Sequence, residues 1–179
     1  MYTPGDLNGQ TWLLTGSNDG IGLHTAHGLV AMGATLLAHA RSADKAQATA
    51  TALRAAHPQA TVIPVWGDLS SQAEVRALGG QVLAQAPKLH GLLHNAGALF
   101  SSHALTADGV ERQLAVNHLA PFLLTHLLWP RLVGRSMWAL AAAGASVALI
   151  LTPVLRPGLP VLAAGVVALI AAALMGRRT

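Results

Sequence analysis

Between the apolar run Thr11-Trp12-Leu13-Leu14-Thr15 and a helical stretch starting at Gly20 lies the string Thr15-Gly16-Ser17-Asn18-Asp19-Gly20-Ile21-Gly22. Three glycines at this spacing, after a strand and opening a helix, leave few folds available. Gly16 allows a tight turn. Gly20 lets backbone approach an anion with no Cβ in the way, and Gly22 permits close helix–strand packing. The start of the helix then offers N–H groups and the positive end of a dipole to a pyrophosphate. Asp19 puts a carboxylate in this loop, where it either caps the helix or repels the anion.

The same alternation continues along the chain. Thr35-Leu36-Leu37-Ala38-His39 reads as a second strand, Thr61-Val62-Ile63-Pro64-Val65 as a third and Leu89 to His94 as a fourth. Between them lie helical stretches from Gly20 to Met32, closed by Gly33, and from Ala43 to Ala56, ended by His57-Pro58. Ser70 or Ser71 caps the next, with Glu74 in its first turn. Val110 to Leu132 reads as one long helix, with Pro121 able to kink it. Strands separated by helices must pair in parallel, and right-handed crossovers give a doubly wound α/β sheet of Rossmann type in the order 3-2-1-4. Pro64 suits the outer position of strand 3, because it has no N–H to give to a ladder. The ligand crevice is expected at the carboxyl ends of strands 1 and 4, where the order reverses.

The chain changes character near Arg135, which divides it into residues 1–135 and 136–179. All seven Asp and Glu lie at or before Glu111, and beyond Arg135 the only charges are Arg156, Arg177 and Arg178. Met137 to Leu155 and Leu159 to Met175 are uncharged stretches of 19 and 17 residues. As helices they would span roughly 28 and 25 Å, close to the hydrocarbon thickness of a bilayer. One reading is a hydrophobic helical hairpin that anchors a cytoplasmic N-terminal domain to a membrane, with Arg131, Arg135, Arg177 and Arg178 on the cytoplasmic side. The other continues the sheet, with Ser146 to Thr152 as a fifth strand and Pro160 to Met175 as the next helix. Met1 to Asp6 lacks the basic region and apolar core of a signal peptide, which fits a cytoplasmic start. The eleven Lys and Arg are scattered despite a net charge of +4, so no nucleic-acid surface is expected. With no cysteine, disulfides and thiolate metal sites are excluded.

Three further motifs follow the glycine loop in order: Asp68-Leu69 after strand 3, Asn95-Ala96-Gly97 after strand 4, and Asn117 within Val116-Asn117-His118-Leu119. Together they resemble the short-chain dehydrogenase/reductase family over about 125 residues. Thr106 to Glu111 and Phe122 to Thr125 are similar to its retinol-dehydrogenase-like branch. The resemblance implies hydride transfer between a nicotinamide nucleotide and an alcohol or carbonyl. It places the cofactor on Thr15, Gly16, Asn18, Gly20, Ile21, Gly22, Arg41, Asp68, Leu69, Asn95, Ala96 and Gly97. Asp68 would hold the adenine edge, and Asn117 would match the asparagine of the catalytic tetrad. Arg41 follows strand 2, where an acid would bond the ribose 2′-OH of NAD and a cation would pair with the 2′-phosphate of NADP. NADP(H) is therefore favoured over NAD(H), unless Arg41 is an ordinary surface cation.

The remaining catalytic groups are missing. In the family a tyrosine passes the proton, a lysine four residues on lowers its pKa, and a serine holds the substrate oxygen. Here the one tyrosine is Tyr2, the lysines are Lys45 and Lys88, and the only serines past Asn117 are Ser136 and Ser146. The family pattern thus stops after the fourth βα unit, and Asn117 is expected to bond local backbone instead of a relay. Catalysis by the chain alone is not expected; a nucleotide-binding or interaction module tethered to a membrane is the alternative. His24 with His27, and His90 with His94, lie at spacings that share a face, yet no carboxylate completes a zinc site, so no metal is expected. Ending the sheet at strand 4 would leave an apolar edge open to self-association.

Overall fold

The computed structural model describes residues 5–132. It contains four parallel strands, β1 (Thr11–Leu14), β2 (Thr35–Ala40), β3 (Val62–Trp66) and β4 (Gly91–Leu93). Their order is β3-β2-β1-β4, as the alternation predicts. The crossovers are α1 (Gly20–Ala31), α2 (Ala43–Ala56) and α3 (Gln72–Gln85). The uncharged stretches 137–155 and 159–175 lie outside the described residues, and with them both readings of the tail. Among the described residues no helix is long and apolar enough to cross a membrane.

Each element has a local cause. Asp19 sits in extended backbone before α1, and its Oδ1 accepts the Gly20 N–H at 2.7 Å, so the carboxylate is a helix cap. α1 ends where Gly33 takes φ +88°, a conformation that glycine enters without strain. α2 is rich in alanine and stops at His57, because Pro58 disfavours helical backbone in the residue before it. The Arg54 guanidinium, in the last turn of α2, donates to the Val62 carbonyl and ties the helix to β3. Ser71, not Ser70, caps α3, its Oγ accepting the Glu74 N–H at 3.3 Å. Pro64 lies on the outer strand, in register with Ala38 of β2.

Strand alternation sends Leu13 and Leu37 to one face and Leu14, Leu36 and Ala38 to the other. The first face packs on Val75, Leu78 and Val82 of α3 and on Leu124 and Leu128. The second packs on Ala26, Leu29 and Val30 of α1 and on Ala50 and Leu53 of α2. Leu37 is fully buried on the central strands. Leu37→Ala is expected to cost about 2–5 kcal/mol in urea unfolding, whereas a substitution at exposed Leu105 should stay within about 0.5 kcal/mol.

The structure corrects the bounds of several elements. The third strand begins and ends one residue later than expected. The fourth is confined to Gly91–Leu93. Leu89 N–H donates to the Arg131 carbonyl outside the sheet, and beyond Leu93 the chain turns so that Asn95 N–H donates back to the Leu93 carbonyl. The long helix is divided into α4 (Arg112–Leu114), a π-helical turn (Ala115–Leu119), α5 (Ala120–Leu128) and a 3₁₀ turn (Trp129–Arg131). Pro121 explains the wide turn: it has no N–H for the Asn117 carbonyl four residues back, so the ladder loosens there. Among the described residues β4 pairs only with β1.

Candidate nucleotide-binding site

The glycine loop is held from below. Thr15, almost fully buried, donates its Oγ1–H to the Leu93 carbonyl and accepts the Ala96 N–H at 3.1 Å. Asn95 reaches under the loop, and its Nδ2 donates to the carbonyls of Thr15 and Gly16 at 3.0 and 3.1 Å. The two segments are therefore one unit, although 79 residues separate Gly16 from Asn95. Gly16 has φ +66°, and a Cβ on it would stand 3.0 Å from the Ala96 Cα. A Cβ on Gly22 would overlap the Gly16 carbonyl and Asn95 Nδ2. Gly20, at φ +50°, has open space where its Cβ would be, directly before α1. A pyrophosphate would meet free space and a helix start there, together with the Asp19 carboxylate that already accepts the Gly20 N–H.

Above the loop is a cavity of about 480 Å³ at the carboxyl ends of the strands. It is lined by Gly16, Asn18, Ile21, Gly22, Arg41, Asp68, Leu69, Asn95, Ala96 and Gly97, ten of the twelve residues expected there. Thr15 and Gly20 do not line it; Thr15 is the support beneath. Ile21 is 79% exposed, an apolar side chain without packing of its own. Asp19, expected in this loop, also lines the cavity, as do Lys45, Gly67, Ala98 and Val116, which were not anticipated. Lys45 had a signal in the sequence: it lies in the first turn after the N-cap Ser42, just beyond Arg41, and both cations line the cavity. A larger hollow of about 1240 Å³ opens at the amino ends of the strands, among residues such as Met32, Thr35, His57 and Thr61. It is away from the glycine loop, and ligands of such sheets sit at the carboxyl ends, so the smaller cavity is the candidate site.

The electrostatics are mixed. Arg41 Nε lies 4.0 Å from Asp68 Oδ2, with side chains 69% and 34% exposed. Such a pair is worth little and yields readily to a better anion. Asp68 also accepts the Ser70 N–H at 2.8 Å, which orients its carboxylate. Asn117, in the π-helical turn, bonds Ala98 twice, its Oδ1 accepting the N–H and its Nδ2 donating to the carbonyl, both at 2.8 Å. It fastens the loop after β4, in keeping with a backbone role.

The histidines are arranged differently from their spacing. His27 Nδ1 is 3.0 Å from His57 Nε2, not paired with His24. His90 Nδ1 accepts the Thr11 N–H, and His94 Nε2 lies 2.8 Å from Thr125 Oγ1. Burial lowers the pKa of His94. No group of three metal-ligating side chains occurs among the described residues.

A four-stranded 3-2-1-4 sheet with a glycine loop buttressed by an asparagine is a Rossmann-type arrangement, and the chain belongs to the short-chain dehydrogenase family, whose profile matches residues 10–149. It is 40% identical over 126 residues to retinol dehydrogenase 12 of Bos taurus, covering 70% of this chain and 40% of that protein. It is 43% identical over 126 residues to dehydrogenase/reductase SDR family member 13 of Homo sapiens, covering 70% of this chain and 33% of the other. The chain thus spans well under half of these relatives. Among solved structures it is similar to a short-chain dehydrogenase from Sphingobium yanoikuyae in complex with NADPH (TM-score 0.58, 30% identity, 68% of this chain and 48% of that one). It is also similar to the landomycin C-6 ketoreductase LanV with bound NADP and rabelomycin (TM-score 0.60, 26% identity, 72% and 55%). The family match passes the boundary at Arg135 and enters the segment starting at Ser146.

Proposed function

We propose that this chain binds NADP(H) in preference to NAD(H), as the nucleotide-binding part of an oxidoreductase acting between an alcohol and a carbonyl. The observation that carries this reading is the cavity floor. A Cβ on Gly16 would crowd Ala96 and one on Gly22 would overlap the Gly16 carbonyl and Asn95 Nδ2, while Gly20 leaves the helix start open. Arg41 and Lys45 stand at the end where a 2′-phosphate would lie. Bound nucleotide would supply or accept the hydride. The residues of the chain bind and orient it: backbone N–H groups at the start of α1 hold the pyrophosphate, Ile21 packs on the ligand, and Asn117 fixes the loop at Ala98. No tyrosine–lysine pair stands within these 179 residues to move the proton, so the chain alone is expected to bind nucleotide without turnover.

The test is titration of the full chain, in mild detergent, with NADPH and NADH. Saturable binding that favours NADPH and disappears in Gly20→Trp is expected. No binding at millimolar nucleotide would overturn the reading. A membrane-tethered module is the second reading, favoured by the uncharged stretches 137–155 and 159–175. Against it, the family match to residue 149 favours sheet continuation for the first of these. Flotation with lipid vesicles separates the two: a tethered chain rises with the lipid.

A further inference from the structure

His39 stands near the carboxyl end of β2, in the run Thr35-Leu36-Leu37-Ala38-His39-Ala40, and is 2% exposed. An imidazole stripped of water must be satisfied by partners. It has one at each nitrogen. Nδ1 accepts the Gly16 N–H at 3.2 Å, and Nε2 lies 3.0 Å from the Gly67 carbonyl. A backbone N–H only donates and a carbonyl only accepts, so the partners assign the tautomer: a lone pair on Nδ1 and a proton on Nε2. The His39 carbonyl accepts from Ser17 as well, from its N–H at 2.9 Å and its Oγ at 3.0 Å. One residue thereby joins the glycine loop to the loop after β3. Gly16 and Gly67 both line the nucleotide cavity.

We propose that His39 is a positioning residue for the nucleotide: its neutral ring clamps Gly16 to Gly67, and protonation of that ring opens the clamp and releases the ligand. This rests on the nucleotide-binding reading above. A protonated ring carries N–H on both nitrogens, so Nδ1–H would face the Gly16 N–H, donor against donor. Gly16 cannot retreat toward Ala96, which already confines it, so either the ring or the loop must swing out. The charged groups around this end of the sheet are Asp68 after β3, Glu74 of α3, whose carboxylate accepts the Asp68 N–H, Arg41 and Lys45 around the start of α2, and Asp19 on the glycine loop. The strands beside His39, Thr11–Leu14 and Val62–Trp66, contain no titratable side chain. Burial lowers the His39 pKa, opposed by the Gly67 hydrogen bond and by Asp68. The sign follows. The clamp contributes in full above the unfolded value of about 6.5, and stability falls between that pH and the lowered folded value. Nucleotide affinity falls only where the folded ring takes its proton, below the ordinary histidine range.

The experiment measures dissociation constants of the full chain for NADH and NADPH from pH 8 to pH 5, for the wild type and for His39→Asn. Asparagine keeps an acceptor for Gly16 but does not titrate. NADH is the deciding ligand, because a 2′-phosphate itself titrates near pH 6. The wild type is expected to lose NADH affinity about tenfold per pH unit once below the folded pKa, and His39→Asn to bind at pH 8 with a flat profile. A wild-type profile that His39→Asn reproduces overturns the clamp while leaving the nucleotide site standing. No binding of either nucleotide at pH 8 removes the site itself. If His39→Asn does not fold, nitrogen NMR of the wild-type ring decides. An Nε2–H tautomer whose titration moves the Gly16 amide supports the clamp, and a ring that titrates without moving that amide overturns it.

Discussion

Gly22→Val is expected to abolish nucleotide binding and to cost about 3 kcal/mol or more of stability, combining overpacking with the loss of buried hydrogen bonds. The first atom of the new side chain overlaps the Gly16 carbonyl and Asn95 Nδ2. Neither can yield cheaply. The Gly16 carbonyl belongs to a turn held at φ +66°, and Asn95 is engaged with Thr15 and Gly16. Gly28, on the same helix, has open space where a Cβ would go. Gly28→Ala should therefore stabilise the chain by about 0.5–1 kcal/mol through helix propensity alone. Urea unfolding and NADPH titration of the two variants make the comparison. Gly22→Val binding NADPH within tenfold of wild type would show that the loop is looser than its packing.

The second large effect is on nucleotide choice. Arg41→Glu should weaken NADPH about a hundredfold, roughly 3 kcal/mol, because a charge-assisted hydrogen bond is exchanged for repulsion of the 2′-phosphate. NADH should be unchanged or bind tighter, since a carboxylate there can accept from the ribose 2′-OH. Lys45→Ala should cost about tenfold for NADPH only, as a more distant point charge. Both losses should shrink as salt rises, because Arg41 is largely exposed. Dissociation constants at two salt concentrations give the answer, and an Arg41→Glu chain that still prefers NADPH would assign the selectivity elsewhere.

What was legible in the sequence was what depends on neighbours along the chain. The glycine loop, Pro64 on the outer strand and Gly33 at the helix end follow from backbone constraints on single residues. Asn95 was recognisable as part of a motif, but its work, bonding Thr15 and Gly16, exists only after β4 pairs with β1. His39 looked like one more residue in an apolar strand, because its partners come from two other loops. The π-helical turn was missed although Pro121 was noticed: a missing N–H announces a defect, while its form depends on how Asn117 engages Ala98. His27 meets His57 from a different helix, so spacing along α1 was the wrong guide.

The outer position of Pro64 has a consequence for assembly. One rim of the sheet ends in a strand that lacks an N–H at its centre, and the other, among the described residues, is the plain backbone of Gly91–Leu93. Pro64 therefore discourages a partner strand from adding outside β3. Growth of the sheet by adding further copies at that rim is disfavoured, so an open-ended fibre cannot be built through β3.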